Sequence, residues 1–258
     1  MDKLTIVKVG GKIVEEEQSL KQLLNDFSTI SGNKILVHGG GRSATTIASR
    51  LGIASKMVDG RRITDHEMLE VVTMVYGGLV NKNIVAGLQA KGCNAAGFCG
   101  ADMDIIRSVK RPIKDIDYGF VGDVIDVNVR ELCLLLEQGV CPVMAPLTHD
   151  GKGQLLNTNA DTIASELAVA LSKCFVVNLV YCFEKNGVLS NPDDDNSVIH
   201  HLDTQLYNQY KLKGVIGEGM LPKLENAFKA LNNGVSVVQI TNASNLIRHN
   251  ACGTVINR

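Results

Sequence analysis

The chain has 258 residues, 45% of them apolar and 21% charged, with a formal net charge of −1. That length gives one large α/β domain or two lobes with ample core. The near-neutral balance argues against a non-specific nucleic-acid binder, and no continuous apolar run reaches the length of a membrane span.

No basic segment followed by an apolar run opens the sequence, so no secretory leader is read there. The seven cysteines are odd in number, lack CxxC spacing and sit mostly in apolar runs, as reduced buried thiols of a cytoplasmic protein do.

In chain order, β-branched apolar runs fall at Leu4–Val9, Lys34–Val37, Cys93–Phe98, Val140–Ala145, Phe175–Tyr181, Val235–Thr241 and Thr254–Ile256. Helical periodicity marks Ser19–Ile30, Ser43–Leu51, Asp65–Gln89, Val129–Gln138, Asp161–Leu171, Asp203–Tyr210 and Pro222–Asn232. Thr64, with Glu67 three positions on, reads as the cap of the longest helix. This alternation predicts a three-layer α/β/α sandwich with a mainly parallel central sheet. Ser55–Thr64 and Ile106–Val124 break it, with short β-prone pieces around Asp59-Gly60 and Tyr118-Gly119. Both read as antiparallel hairpins, placed as lids over a ligand.

Three clusters carry chemistry. The first is a pair of glycine-rich strand ends, Lys8-Val9-Gly10-Gly11 and His38-Gly39-Gly40-Gly41. Glycine lets the backbone approach a ligand, and outward amides near a helix N-terminus favour anions, phosphate above all. Two such turns within one βαβ interval suggest a site that holds an anionic donor beside an anionic acceptor. The second cluster is Asn157-Thr158-Asn159-Ala160-Asp161. Asp161 is either a site carboxylate or an ordinary acidic residue at a helix start. The third is Gly217-Glu218-Gly219-Met220-Leu221-Pro222-Lys223, where glycines lead into a helix with proline in its first turn and a lysine beside it. It reads as a phosphate site or as a plain loop–helix junction. His38 reads as a positioning hydrogen-bond partner rather than a base. The acidic run Asp193–Asp195 reads as a solvated turn, and no metal site is expected there or at His200-His201.

Taken together and in order, Lys8-Val9-Gly10-Gly11, His38-Gly39-Gly40-Gly41, Gly60-Arg61-Arg62-Ile63-Thr64, Gly119-Phe120-Val121-Gly122, Asn157–Asp161 and Gly219–Lys223 resemble the motifs of the amino acid kinase family. Gly60–Thr64 resembles its acylglutamate branch in particular. The resemblance implies transfer of the ATP γ-phosphoryl group to the γ-carboxylate of an N-acylated glutamate in arginine biosynthesis. N-acetylglutamate is the first candidate; N-succinylglutamate and N-acetylaminoadipate are the alternatives.

By the same resemblance, Lys8, Lys223 and Asp161 are catalytic, the two lysines facing the transferring group and Asp161 orienting them. Gly40, Gly41, Arg62 and Asn157 bind the acceptor, Arg62 by its α-carboxylate. Gly10, Gly11 and Gly219 bind phosphate. Magnesium would arrive with ATP, held by phosphates and water. Residues 1–172 would form the acceptor-binding and dimerising lobe of a homodimer, and residues 173–258 the ATP lobe. The segment Tyr181–Leu189 departs from the family's usual Asp-Val turn.

Overall fold

The computed structural model describes residues 1–58, 60–191, 193–216, 220–247 and 253–257. Its fourteen strands are β1 (Lys3–Val9), β2 (Asn33–His38), β3 (Met57–Val58), β4 (Arg61–Arg62), β5 (Ala95–Phe98), β6 (Ile106–Lys110), β7 (Gly122–Val127), β8 (Cys141–Met144), β9 (Leu147–His149), β10 (Leu155–Asn157), β11 (Val176–Phe183), β12 (His201–Leu202), β13 (Val237–Asn242) and β14 (Thr254–Ile256). The α-helices are α1 (Gly11–Glu15), α2 (Glu17–Thr29), α3 (Gly41–Arg50), α4 (His66–Val72), α5 (Asn81–Gln89), α6 (Val129–Glu137), α7 (Ala160–Leu171), α8 (Thr204–Leu212) and α9 (Leu221–Asn232). A π-helical segment, Thr73–Val80, joins α4 to α5.

Eight strands form the central sheet in the order β12-β14-β13-β11-β1-β2-β8-β5. Its pairings are parallel except β13 with β14. β1 pairs with both β2 and β11, so one sheet crosses the expected lobe boundary at residue 172 without a break.

The period-2 alternation of strands sorts the core into two layers. On β1, Leu4 and Ile6 join a cluster with α6, α7 and α9 residues such as Leu132, Leu167 and Leu224. Val7 and Val9 face the other way, towards Phe27 of α2, Ala44 of α3 and the long helix. The alternation that buries Leu4 and Ile6 therefore points Lys8 towards the α7 side.

His66–Gln89 runs as one helical rod of 24 residues, apolar enough by length and composition alone to cross a membrane. Here Met68, Val71, Val72, Val75, Ile84 and Leu88 are buried in the core. Its cap is Asp65, whose carboxylate accepts from the Met68 amide at 2.9 Å. The expected Thr64 cap is corrected on this point: the Thr64 hydroxyl donates to Arg62 O and accepts from Asn157, which leaves it no capping role.

The hairpin at 55–64 forms, with Met57 opposite Arg62. The second hairpin differs from expectation. β6 and β7 are antiparallel, but they belong to a four-stranded sheet with β9 and β10, and Tyr118-Gly119 does not make their turn. Gly119 instead bridges Thr64. A Cβ there would sit 2.2 Å from Thr64 O, and its φ of +71° is one that glycine adopts at low cost. The Gly119–Gly122 motif is thus bolted to the Gly60–Thr64 motif by Thr64 N–H to Tyr118 O and Phe120 N–H to Thr64 O.

Candidate active site

The parallel strands β1, β2, β8 and β11 all deliver their C-terminal ends to one edge of the sheet, the usual ligand side of such folds. The two glycine turns meet there. A Cβ on Gly11 would lie 3.4 Å from the Gly40 amide nitrogen, and one on Gly39 would lie 3.0 Å from the Gly11 nitrogen. Side chains would therefore push the turns apart. Among the described residues, the Gly11, Gly40 and Gly41 amides have no backbone acceptor in this arrangement, which leaves three donors at two helix starts. Gly10 differs from the expectation that it supplies a donor: its N–H goes to Cys182 O at 3.1 Å, because β11 lies beside β1.

His38 holds this loop from below. It is fully buried, with Nδ1 2.7 Å from Gly39 O and Nε2 3.1 Å from the Asn81 side-chain nitrogen. Asn81 donates to Nε2, so Nδ1 carries the proton and donates to Gly39 O. Burial lowers the His38 pKa to about 4 despite that bond, and a neutral imidazole is fixed in place.

Lys8, Asp161 and Lys223 come together from three elements. Lys8 Nζ lies 2.7 Å from Asp161 Oδ1, and Lys223 Nζ lies 2.6 Å from Oδ2. Asp161 is in the first turn of α7, where Asn159 is the cap and accepts from the Asp161 and Thr162 amides. Asp161 thus suits the helix dipole and also bridges two lysines. Burial would push its carboxyl up, but the Lys8 and Lys223 charges outweigh that and hold it well below the usual carboxylate range. Lys223 extends from the first turn of α9; Gly219 lies outside the described residues.

Arg62 is buried, yet its partners are all neutral: Gly41 O at 2.6 Å, Thr45 Oγ1 at 2.9 Å, Ser55 Oγ and, at 3.9 Å, Met68 Sδ. Among the described residues no carboxylate lies within salt-bridge distance of it. A buried cation without a counter-ion is costly, and the cost is relieved by an anionic ligand. Arg62 lines a cavity of about 180 Å³ with Gly39–Gly41, Tyr76 and Asn157–Ala160. Asn157 donates its side-chain N–H to Thr64 Oγ1 at 2.9 Å, while its side-chain oxygen has no partner among the described residues.

Tyr76 was not singled out from sequence. It lies in the π segment, a distortion frequent at functional sites, and its ring fills the space where a Cβ on Gly40 would be, 3.0 Å away. Burial pushes its hydroxyl pKa up while Arg62 pulls it down. A tyrosine on an otherwise apolar helix stripe was the available signal. Glu15 was also missed: it accepts from the Ser43 amide at 2.5 Å and hydroxyl at 3.0 Å, tying α1 to α3 across the glycine turns.

A model of the amino acid kinase family matches residues 3–242. This chain belongs to the amino acid kinase family. Over 257 residues it is 65% identical to the acetylglutamate kinase of Phocaeicola vulgatus, covering 100% of this chain and 99% of that one. It is 68% identical over 243 residues to the acetylglutamate kinase of Bacteroides thetaiotaomicron, covering 94% and 95%. Among solved structures, N-acetylglutamate synthase from Neisseria gonorrhoeae, complexed with coenzyme A and N-acetyl-glutamate, superposes with a TM-score of 0.83 at 22% identity. It matches 99% of this chain and 59% of that one, a likeness of fold.

Among the described residues no three His, Cys, Asp or Glu side chains gather as a metal site. The six described cysteines, Cys93, Cys99, Cys133, Cys141, Cys174 and Cys182, are free thiols, and Cys252 lies outside the described residues.

Proposed function

We propose that this enzyme transfers the γ-phosphoryl group of ATP to the γ-carboxylate of N-acetyl-L-glutamate. The observation that carries the reading is the Lys8–Asp161–Lys223 bridge, whose Asp161 follows Ala160 in the lining of the cavity that also holds the Gly40–Gly41 turn and Arg62, a buried arginine with no carboxylate partner among the described residues. The names and high identity of the full-length relatives support the substrate assignment.

The residues suit that chemistry. The acceptor carboxylate is ionised at neutral pH, so its oxygen attacks phosphorus without a protein base. As the new P–O bond forms, the bond to the β-phosphate oxygen breaks and its electron pair leaves with ADP. Two anions must be aligned and charge on the moving phosphoryl group neutralised. Lys8, from the N-terminal lobe, and Lys223, from the C-terminal lobe, approach the transferring group from opposite sides. Asp161 aims both. Gly11, Gly40 and Gly41 donate amides to the phosphate, with Gly10 shaping the turn beside it. Arg62 takes the α-carboxylate, and Asn157 faces the acyl-amino group.

Both Asp161 oxygens are engaged by lysines. Magnesium therefore fits this site through phosphate oxygens and water, where it supplies further charge neutralisation. Residues 1–172 serve the acceptor and 173–258 the nucleotide. Two copies associate through the long helix, whose Met74 and Leu79 are exposed. Coupled ADP release from the purified protein tests the assignment: turnover should need ATP, magnesium and an N-acylglutamate together. ADP release indifferent to the acylglutamate would refute it.

A further inference from the structure

Three arginines line the cavity that holds Asn157, and no carboxylate among the described residues lines it. Arg62 is matched by one anionic group, the α-carboxylate. Arg61 and Arg111 remain. Arg111 follows the last residue of β6, and its amide donates to Val121 O at 2.8 Å. Its Nε and Nη2 both reach Asp123, at 3.1 Å and 2.5 Å to Oδ1 and 3.2 Å from Nε to Oδ2, and its guanidinium lies 5.5 Å from the Tyr118 ring centre. The plane of the fork is therefore fixed. The remaining nitrogen, Nη1, is buried and has no partner among the described residues. An orphaned donor of a charged group at a ligand cavity is a costly thing to hold without a use. Arg61 is exposed and has no ion pair among the described residues.

These same two arginines are shared with a second cleft, lined further by Pro112, Lys114, Asp115, Ile116, Tyr118 and Asp123. Neither the glycine turns nor residues 157–160 line that cleft, so Arg61 and Arg111 stand at the border of the acceptor cavity and this second cleft. An acetyl group ends in a methyl and offers these two cations nothing.

We propose that Arg111 and Arg61 form a second anion subsite of the acceptor cavity, which receives a carboxylate at the far end of the acyl chain. The acceptor it fits is an N-acylglutamate whose acyl group is the half-amide of a short dicarboxylic acid. The fixed Arg111 fork donates Nη1–H to that carboxylate, and Arg61 adds the charge that Asp123 removes from Arg111. The opposing carboxylates are Asp123, already held by Arg111, and Asp115, which lies in the second cleft beside Lys114. This inference rests on the acylglutamate kinase reading above and deepens it: N-acetyl-L-glutamate is turned over, and the longer diacid half-amide is the acceptor that this subsite adds and favours.

The test compares kcat/KM for N-succinyl-, N-butyryl- and N-acetyl-L-glutamate in the unaltered enzyme and in Arg111→Gln and Arg61→Gln. Succinylglutamate should exceed both neutral-acyl acceptors by roughly tenfold or more, the scale of one hydrogen bond to a charged group. Each substitution should collapse that ratio by a similar factor. Arg61 is exposed, so its variant stays informative if Arg111→Gln does not fold. An acetyl or butyryl acceptor that equals succinyl in the unaltered enzyme overturns the proposal. So does a substitution that lowers all three acceptors alike, or one that raises the KM for ATP instead. Turnover with acetylglutamate but no succinyl preference refutes this inference alone; no turnover with any acylglutamate refutes the kinase reading and this inference with it.

Discussion

Replacing Asp161 by asparagine keeps the side chain's shape and removes the charge that two lysines share. With Lys8 Nζ 2.7 Å from one oxygen, a single pair attracts by about 6 kcal/mol at an effective dielectric of about 20. Desolvation of the three groups offsets much of that, and removal of one partner of a buried pair costs about 3–5 kcal/mol net. Asparagine still offers an oxygen, so a loss near the lower end, about 3 kcal/mol, is expected in urea unfolding at pH 7.

The catalytic signature is separate. Lys8 is buried and Lys223 only partly exposed. Without the shared carboxylate, the two ammonium groups repel one another and lose the anchor that aims them. With saturating substrates kcat should then fall by roughly tenfold or more, because the misplaced charges stabilise the transition state less. Unfolding by urea and the coupled ADP assay read the two effects independently. A variant with unchanged stability and unchanged kcat would refute the bridging role.

Lys8→Ala and Lys223→Ala should each lower kcat by roughly 10²-fold or more, since charge on the phosphoryl group changes most in the transition state; steady-state kinetics with saturating acceptor is the check. Arg62→Lys should raise the acceptor KM far more than the ATP KM, because lysine lacks the planar fork now anchored by Gly41 O and Thr45; a selective rise in the ATP KM would place Arg62 wrongly. Stability should fall as pH drops below 6.5: His38 has its folded pKa lowered to about 4, so the unfolded chain takes up the proton first. Between pH 7.5 and 5 that amounts to about 2 kcal/mol, and the urea midpoint of His38→Gln should lack that component.

The sheet strands were legible because they combine β-branched runs with glycine at their ends, and the Lys8, Asp161 and Lys223 clusters stood out as charges beside glycine or helix starts. What joined them was not legible. The Lys223–Asp161 contact spans 62 residues of chain and depends on β11 lying beside β1. The same neighbour takes the Gly10 amide, a backbone event with no side-chain signature. The short helix α1 escaped because a single turn shows no period. The π segment escaped because its extra residue shifts Tyr76 within an apolar stretch that reads as uniform helix. Thr64 and Asp65 are adjacent and both cap by type, Asp somewhat better; the Asn157 contact engages Thr64 and leaves the Met68 amide to Asp65.

The central claim is that phosphorus moves from ATP to a carboxylate oxygen of the acylglutamate. Acceptor labelled with ¹⁸O in its γ-carboxylate, turned over with ATP and quenched with hydroxylamine, tests it directly. The hydroxamate of the acceptor should appear one-for-one with ADP, and the inorganic phosphate that hydroxylamine displaces from the acyl carbon should carry one ¹⁸O, the former bridging oxygen. ADP that accumulates with no hydroxamate and only unlabelled phosphate would mean that water, not the carboxylate, is the nucleophile.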